Sequence, residues 1–473
     1  MPPLIATLIF IVGIVGLFAL DRGREAAEPS KALWIPVSWL FLVSSRPVSQ
    51  WLGLTSTVSR ADIYLEGSPV DRAVFMLLLA LGLVVILRRW KHVAPLLRAS
   101  WPILLFFVYA GFSILWSGFP FVTFKHWTKG IGDMVMVLVV LTDPDPVGAI
   151  KGLLSRLGFV LVPLSILFIK YYPNLGRSYN PWSWTYLYCG VATTKNMLGM
   201  ACLILGLGSL WRFLGAYQDR GNARRSQWLV AHGAIVTMVL WLLWRCNSVT
   251  SVSCFLMAGA LMIFVSWRSF TLKSSTIHCL VAAMLGLALY ATILNPGVGL
   301  VQDLGRDPTL TGRTDLWQLV LSLNNSRWVG SGYESFWLGK RLQQVWNAFP
   351  GIQEAHNGYL EIFLNLGWIG VGLLTVIIAK GYRTVITALR MGQNTASLRL
   401  AYFVAAVVYS LTEAGFRMMA PIWIMFLLTT TDTAEVNAWE RSVPLETKRT
   451  DRSGELVAQL GHAFGHQFGQ RIL

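Results

Sequence analysis

Charge is scarce in this sequence. Only 13% of its 473 residues are Asp, Glu, Lys or Arg, against about 25% in a typical soluble domain. With 55% hydrophobic residues, that shortage excludes a chain that keeps most of its surface in water. Acidic groups are the scarcer sign: 23 Asp and Glu stand against 39 Lys and Arg, for a net charge of +16. Cysteine is scarce too. The five (Cys189, Cys202, Cys246, Cys254, Cys279) form no Cys-x-x-Cys pair. Most fall in or beside apolar runs, where cysteine acts as a small hydrophobe, which sets aside a disulfide framework or a cysteine metal site. A phosphate-binding P-loop is missing, so ATP-driven work has no support. No zinc-type His/Glu spacing occurs, and no soluble stretch is large enough for a Rossmann-type donor domain.

What is abundant is long apolar runs. They are continuous rather than alternating, so they predict spanning helices, not a barrel. Runs fall at 3–20, 34–43, 73–87, 101–116, 130–141, 152–169, 196–214, 228–245, 249–265, 277–294, 359–378, 400–411 and 414–428. The total is 12 or 13 spans, depending on the short run at 34–43. The first run has no cleavage-site pattern and reads as a retained helix. The 21 Trp and 14 Tyr suit interfacial belts. Basic clusters at Arg88-Arg89-Trp90-Lys91, Arg220 to Arg225, Arg268 to Lys273 and Lys380 to Arg390 fall on one side when the spans are counted. That side is expected to be cytoplasmic, and this bias explains the net charge without nucleic acid as a partner. The chain divides into N-terminal helices (1–295), an external loop (296–356), C-terminal helices (357–430) and a polar tail (431–473). In the tail, His462 and His466 sit four apart and read as solvated surface. No internal repeat is evident.

The external loop concentrates the chemistry. It carries Thr311-Gly312-Arg313-Thr314-Asp315-Leu316-Trp317, then Gly330-Ser331-Gly332-Tyr333, then Glu354-Ala355-His356-Asn357-Gly358-Tyr359. Its tryptophans argue against a floppy linker, and short helices folded back on the membrane surface are expected. His356 can exchange a proton near neutral pH; the bland alternative is a capping or interfacial histidine. Arg313, Arg177 and Lys195 lie on the same external side, against the usual charge bias. Arginine presents a fork that suits phosphate oxygens, and Lys195 opens a helix whose start favours an anion. Together they suggest a site for a lipid-linked diphosphate; singly, each is as well explained by snorkelling to headgroups. Asp315, Glu354, Asn357 and Glu361 are candidates for orienting His356 or a substrate hydroxyl. Lys129 with Asp133, and Glu413 with Arg417, are each four apart and read as structural pairs within helices.

The pattern Gly312-Arg313, Trp317, Gly330-x-Gly332, His356-Asn357-x-x-Leu360-Glu361 and Leu366-Gly367-x-x-Gly370 resembles the bacterial O-antigen ligase and polysaccharide polymerase family. Trp34-Ile35-Pro36 with Ser45 to Leu52 looks like its exopolysaccharide polymerase branch, and Thr194-Lys195-Asn196-x-x-Gly199 also looks family-like. The resemblance implies an all-α integral membrane protein of the bacterial inner membrane, with a GT-C-type fold and a large periplasmic loop. It implies a glycosyltransferase that moves a glycan from undecaprenyl diphosphate to an acceptor sugar hydroxyl, with inversion and without metal or cofactor. The product would be O-antigen or exopolysaccharide. The family's catalytic histidine falls on His356 and its loop arginine on Arg313; its earlier arginine falls on Arg177, or on Lys195 in its place. Partners implied are the lipid-linked donor, a glycan or lipid A core acceptor, and membrane lipids. A ligase acting on lipid A core, a transporter or flippase of lipid-linked oligosaccharide, and a structural membrane protein are the alternatives.

Overall fold

A computed structural model describes residues 2–22, 29–54, 68–180, 185–268, 274–293, 311–324 and 326–432. The start of the external loop and nearly all of the tail, with His462 and His466, lie outside the described residues. Helix dominates, as the continuous apolar runs predict. Leaving out one-turn pieces, the helices are α1 (Pro3–Asp21), α2 (Trp34–Ser44), α3 (Pro69–Arg88), α4 (Trp90–Ala99), α5 (Trp101–Phe112), α6 (Pro120–Leu141), α7 (Pro146–Tyr171) and α8 (Lys195–Gln218). They continue as α9 (Arg225–Cys246), α10 (Val249–Arg268), α11 (Ser274–Ile293), α12 (Thr311–Ser322), α13 (Gly339–Ala348), α14 (Gly358–Arg390), α15 (Ala396–Thr412) and α16 (Pro421–Thr430). A small antiparallel hairpin, β1 (Arg177–Asn180) and β2 (Thr185–Tyr188), interrupts them, with Arg177 opposite Tyr188.

Among the described residues, seven helices are long and apolar enough to cross a membrane: α1, α3, α7, α8, α9, α10 and α14. An eighth crossing exists if α4 and α5, bent by 88°, count as one. Of the other expected spans, α2, α15 and α16 are apolar but short, and the first half of α6 carries Lys125, His126 and Lys129. All ten residues of α16 are buried. A helix that is apolar on every side belongs inside protein. At 1.5 Å per residue its length is about 15 Å, roughly half a bilayer's hydrocarbon core.

The expected span at 414–428 is not one helix. The chain leaves α15 at Glu413, runs irregularly past Gly415, and resumes helix at Pro421. Backbone that abandons helix among spanning helices leaves polar groups that protein or a polar cavity must satisfy. Glu413 and Arg417 therefore never form the helix pair their spacing suggests. Lys129 and Asp133 do not pair as expected either: Asp133 accepts from Trp39 Nε1 at 2.9 Å and from the Met419 amide at 2.8 Å. A buried carboxylate of α6 thus ties the break to α2.

A second break lies inside α14, where Gly367 takes φ 65°. The amides and carbonyls freed there are taken up by residues 327–332 of the loop. Ser331 and Gly332 amides donate to the Leu364 and Asn365 carbonyls at 3.1 and 2.9 Å, and the Trp368 amide donates to the Arg327 carbonyl at 2.9 Å. The loop is thereby stitched to the helix that follows His356. A β-carbon on Gly367 would stand 2.2 Å from the backbone of Trp328. Gly367→Ala is expected to cost at least about 1–3 kcal/mol, the range for one strained backbone position. Gly372→Ala, which meets nothing within 4 Å, is the control. Thermal unfolding of both variants in detergent checks this; equal midpoints would refute the close approach.

Candidate active site

His356 is placed by its neighbours on both sides. Asn357 caps α14, its Oδ1 accepting from the Tyr359 and Leu360 amides, each at 3.0 Å. Its Nδ2 donates to the Leu411 carbonyl at 3.1 Å, pinning the start of α14 to the end of α15. Ala355 is held at both ends: Trp317 Nε1 donates to its carbonyl at 2.7 Å, and its amide donates to Glu361 Oε1 at 2.5 Å. Glu361 is itself buried and also accepts from Trp337 Nε1 at 2.9 Å. So Asn357 and Glu361 shape the chain around His356 rather than facing a ligand. His356, between the pinned Ala355 and Asn357, has φ 49°, a left-handed conformation that only Glu334, Met419 and Asn247 share among the described non-glycine residues. Three of these four strained positions belong to this one site, and strain of this kind concentrates where function fixes geometry.

Its imidazole meets two carboxylates. Nδ1 lies 3.1 Å from Glu413 Oε2 and 3.1 Å from Glu354 Oε1. Glu413 sits in the break after α15, with only 8% of its side chain exposed. Its other oxygen accepts from Asn196 Nδ2 at 3.3 Å and from Arg313 at 3.4 Å. Arg313 also donates to the Thr412 carbonyl at 2.8 Å. Beyond Glu354 the chain of charges continues: Arg417 pairs with Glu354 at 3.5 Å and with Glu334 at 3.0 Å. Burial alone would lower the His356 pKa; the bonds and charges of Glu354 and Glu413 override it and push it up to about 10. Burial opposes ionisation of Glu354 as well, but His356, Arg417 and Arg313 hold its carboxyl below the usual range. Two carboxylates on one imidazole, flanked by two guanidiniums, favour the imidazolium form.

This arrangement forms one wall of a cavity of about 910 Å³, which His356, Glu354, Glu413 and Arg417 all line. Of the sequence-predicted cations, Arg313 joins the site from behind Glu413. Arg177 does not face the cavity; it donates to the Ile169 carbonyl at 3.0 Å and lies over the Tyr188 ring. Lys195 is flanked by Thr194 and Asn196, which line the cavity, but it is not itself in the wall. Asp315 is exposed on α12 and takes no part. The donor atoms of Glu354, His356 and Glu413 lie within 4.8 Å of one another, close enough to share a cation, although Arg313 and Arg417 already occupy the carboxylates. The triplet Asp143-Pro144-Asp145 has the Asp-x-Asp form of metal motifs, yet it sits at the opposite end of α6. There Asp143 holds Arg89 at 3.5 Å, and Asp145 caps α7 through the Gly148 amide at 2.9 Å. Glu413 and Arg417 were hidden by their helical spacing; Gly415 and Pro421, both helix breakers, are the sequence signal that exposes them.

Helices long and apolar enough to span, around an enclosed ionic site, define an all-α integral membrane protein. Residues 220–375 match the O-antigen ligase family. The chain is also 27% identical over 289 residues to the exopolysaccharide production protein ExoQ of Rhizobium meliloti (strain 1021). That similarity covers 59% of this chain and 63% of the relative, so the chain spans less than two thirds of the relative's length. The two matches bear out the resemblance to the O-antigen ligase and exopolysaccharide polymerase-like family. The family match takes in Arg313 and His356 and stops short of Glu413 and Arg417.

Proposed function

We propose that this protein is a polysaccharide polymerase of the bacterial inner membrane. It would move a glycan from undecaprenyl diphosphate to an acceptor sugar hydroxyl, with inversion, on the periplasmic side. The observation that carries this is the bond from His356 Nδ1 to Glu413 on the wall of a large cavity. A carboxylate on Nδ1 fixes the proton there and leaves Nε2 to take one from a hydroxyl. The hydroxyl oxygen attacks the anomeric carbon, and its proton passes to Nε2. The bond from that carbon to the diphosphate oxygen breaks, and the lipid diphosphate leaves with the electron pair. A positioned base of this kind is worth about 10²–10⁴-fold. Asn196 and Arg313 act through Glu413, keeping its second oxygen engaged so that the first stays on the imidazole.

Polymerase is favoured over ligase by the relative, whose name is that of an exopolysaccharide production protein. A transporter would be expected to gather its charges near the middle of the membrane. Here they meet where α3, α6, α8, α14 and α16 begin and α15 ends, at one end of the bundle. The test is purified protein in lipid nanodiscs with an undecaprenyl-diphosphate oligosaccharide. A ladder of lengthening chains is expected. A single transfer onto lipid A core would make it a ligase, and movement of intact donor across a bilayer without new bonds would sink the enzymatic reading.

The chemistry proposed needs no metal, because a diphosphate already leaves well. Excess EDTA is expected to change the ladder by less than about twofold. Loss of product with EDTA, restored by a divalent cation, would instead put an ion between Glu354, His356 and Glu413.

A further inference from the structure

Of the three left-handed residues of the site, two are gripped by one helix. Glu334 has φ 52° and Met419 φ 57°. Conformations of this kind persist only where the surroundings fix them. Helix α6 supplies the fixing. His126 Nδ1 donates to the Glu334 carbonyl at 2.9 Å, and Asp133 Oδ2 accepts from the Met419 amide at 2.8 Å. A carbonyl only accepts, so the hydrogen of the first bond is on His126. Residues 126 and 133 lie about two helical turns apart and so share a face of α6. Between them Gly130 makes room for the residue before Glu334: a β-carbon there would stand 2.7 Å from the Tyr333 hydroxyl.

Both gripped residues lead to the imidazole. Glu334 accepts from Arg417 Nε at 3.0 Å and from the Met418 amide at 3.3 Å, and Arg417 reaches Glu354 at 3.5 Å. Met419 lies near the end of the irregular stretch that Glu413 begins. The successive amides of Met418 and Met419 are thus claimed by two different carboxylates. The other end of the stretch is tied to α15, where the Glu413 amide donates to the Tyr409 carbonyl at 3.0 Å. With both ends held, the carboxylates of Glu354 and Glu413 meet on His356 Nδ1.

Asp133 has no route to a ligand of its own. It is fully buried and is not in the cavity wall. Its other oxygen accepts from Trp39 Nε1 at 2.9 Å. Burying a carboxylate is costly, but it accepts N–H bonds at both oxygens. Asparagine has the same shape and one acceptor, so it would turn an N–H toward one of the two donors.

We infer that Asp133 is a positioning residue for the transfer reaction: by holding the Met419 amide, it sets the stretch that carries Glu413 and Arg417 against His356. This rests on the reaction proposed above, and one readout of its test does not depend on transfer. The charged groups that face His356 are Glu354 and Glu413, with Arg313 and Arg417 behind them. The proton affinity of the imidazole therefore reads their placement.

Full-length protein in lipid nanodiscs is treated with diethyl pyrocarbonate, which modifies neutral imidazole. The rate at His356 is read by peptide mass spectrometry between pH 6 and 9. Asp133→Asn is expected to move the onset of modification to lower pH, with about tenfold faster modification at pH 8, the change that one pKa unit brings. The rise of the transfer rate with pH should be displaced the same way. At about pH 10, kcat should fall about tenfold or more with KM within about twofold of wild type, since a misplacement of about 1 Å can cost ~10²-fold. Trp39→Phe keeps the Met419 bond and should keep the wild-type curves. Asp133→Asn/Trp39→Phe removes the competing donor, so the amide oxygen at position 133 can accept from Met419 again. Both curves should return to wild type in this double variant, although truncating a buried ring lowers its thermal midpoint below that of wild type. A role in packing alone predicts further loss instead of return.

Wild-type curves in Asp133→Asn, or a double variant that does not return to them, would overturn the assignment. So would a double variant that does not fold, because the return requires it to. Should Asp133→Asn alone not fold, a folded double variant with wild-type curves supports the assignment. Modification that follows the expected order while transfer ignores it would support the positioning and bring down His356 as the base.

Discussion

Replacing His356 by asparagine is expected to lower glycan transfer by about 10²–10⁴-fold, the contribution of a positioned general base. Asparagine is the informative choice because it tolerates the left-handed backbone better than alanine, and His356 has φ 49°. The cap at Asn357 and the bonds to Ala355 do not use the imidazole. The variant should therefore elute as wild type does on size exclusion. The loss then reports proton transfer, not collapse of the loop. Glu413→Gln keeps the shape of the neighbour and removes its charge. At about pH 10, where much of the imidazole is discharged in both proteins, it should fall between the two, since an amide can still accept from Nδ1 but supports the developing imidazolium less well. Transfer by His356→Asn within twofold of wild type would remove His356 as the base.

Acidity should move stability and activity in opposite directions. The folded protein raises His356 from 6.5 to about 10. A group whose pKa rises on folding stabilises the fold in its charged form. That stabilisation is complete below about pH 6.5 and is lost as the pH climbs through about 10. Thermal midpoints should thus decline across that window. The proposed base is the neutral imidazole, so transfer should climb across the same window. With Glu354→Gln or Glu413→Gln, one of the two carboxylates that raise His356 is gone. Both slopes should then shift to lower pH. Scanning fluorimetry and initial rates between pH 6 and 10 measure the two together. A transfer rate that is flat or falling from pH 7 to 10, in protein that remains folded, would contradict a resting imidazolium that must be discharged.

Much of this was legible in residues, for reasons that also mark the limits. Apolar runs near bilayer length report spanning helices because the hydrophobic signal is local and strong. His356 stood out because an ionisable residue at the mouth of such a helix needs a reason, and Arg313 because a cation on the side expected to be external does. Glu413 and Arg417 were concealed because four-residue spacing means pairing only where the backbone is helical. The break between α15 and α16 is imposed by Gly415, Pro421 and the bonds of Asp133, none of which a periodicity registers. Arg177 and Lys195 looked equivalent to Arg313, and only tertiary contacts separate a cation bound to its own hairpin from one that reaches Glu413.

The enclosure of α16 bears on how the protein is made. With all ten of its residues covered by other helices, this segment offers lipid no surface of its own, and it cannot be seated until the helices around it stand. Glu413 and Arg417 arrive just ahead of it. A nascent chain that already contains His356 but not yet Glu413 thus has an imidazole with no carboxylate partner from the break. If His356 is the base as proposed, a chain in which α16 has not docked is expected to lack transfer activity.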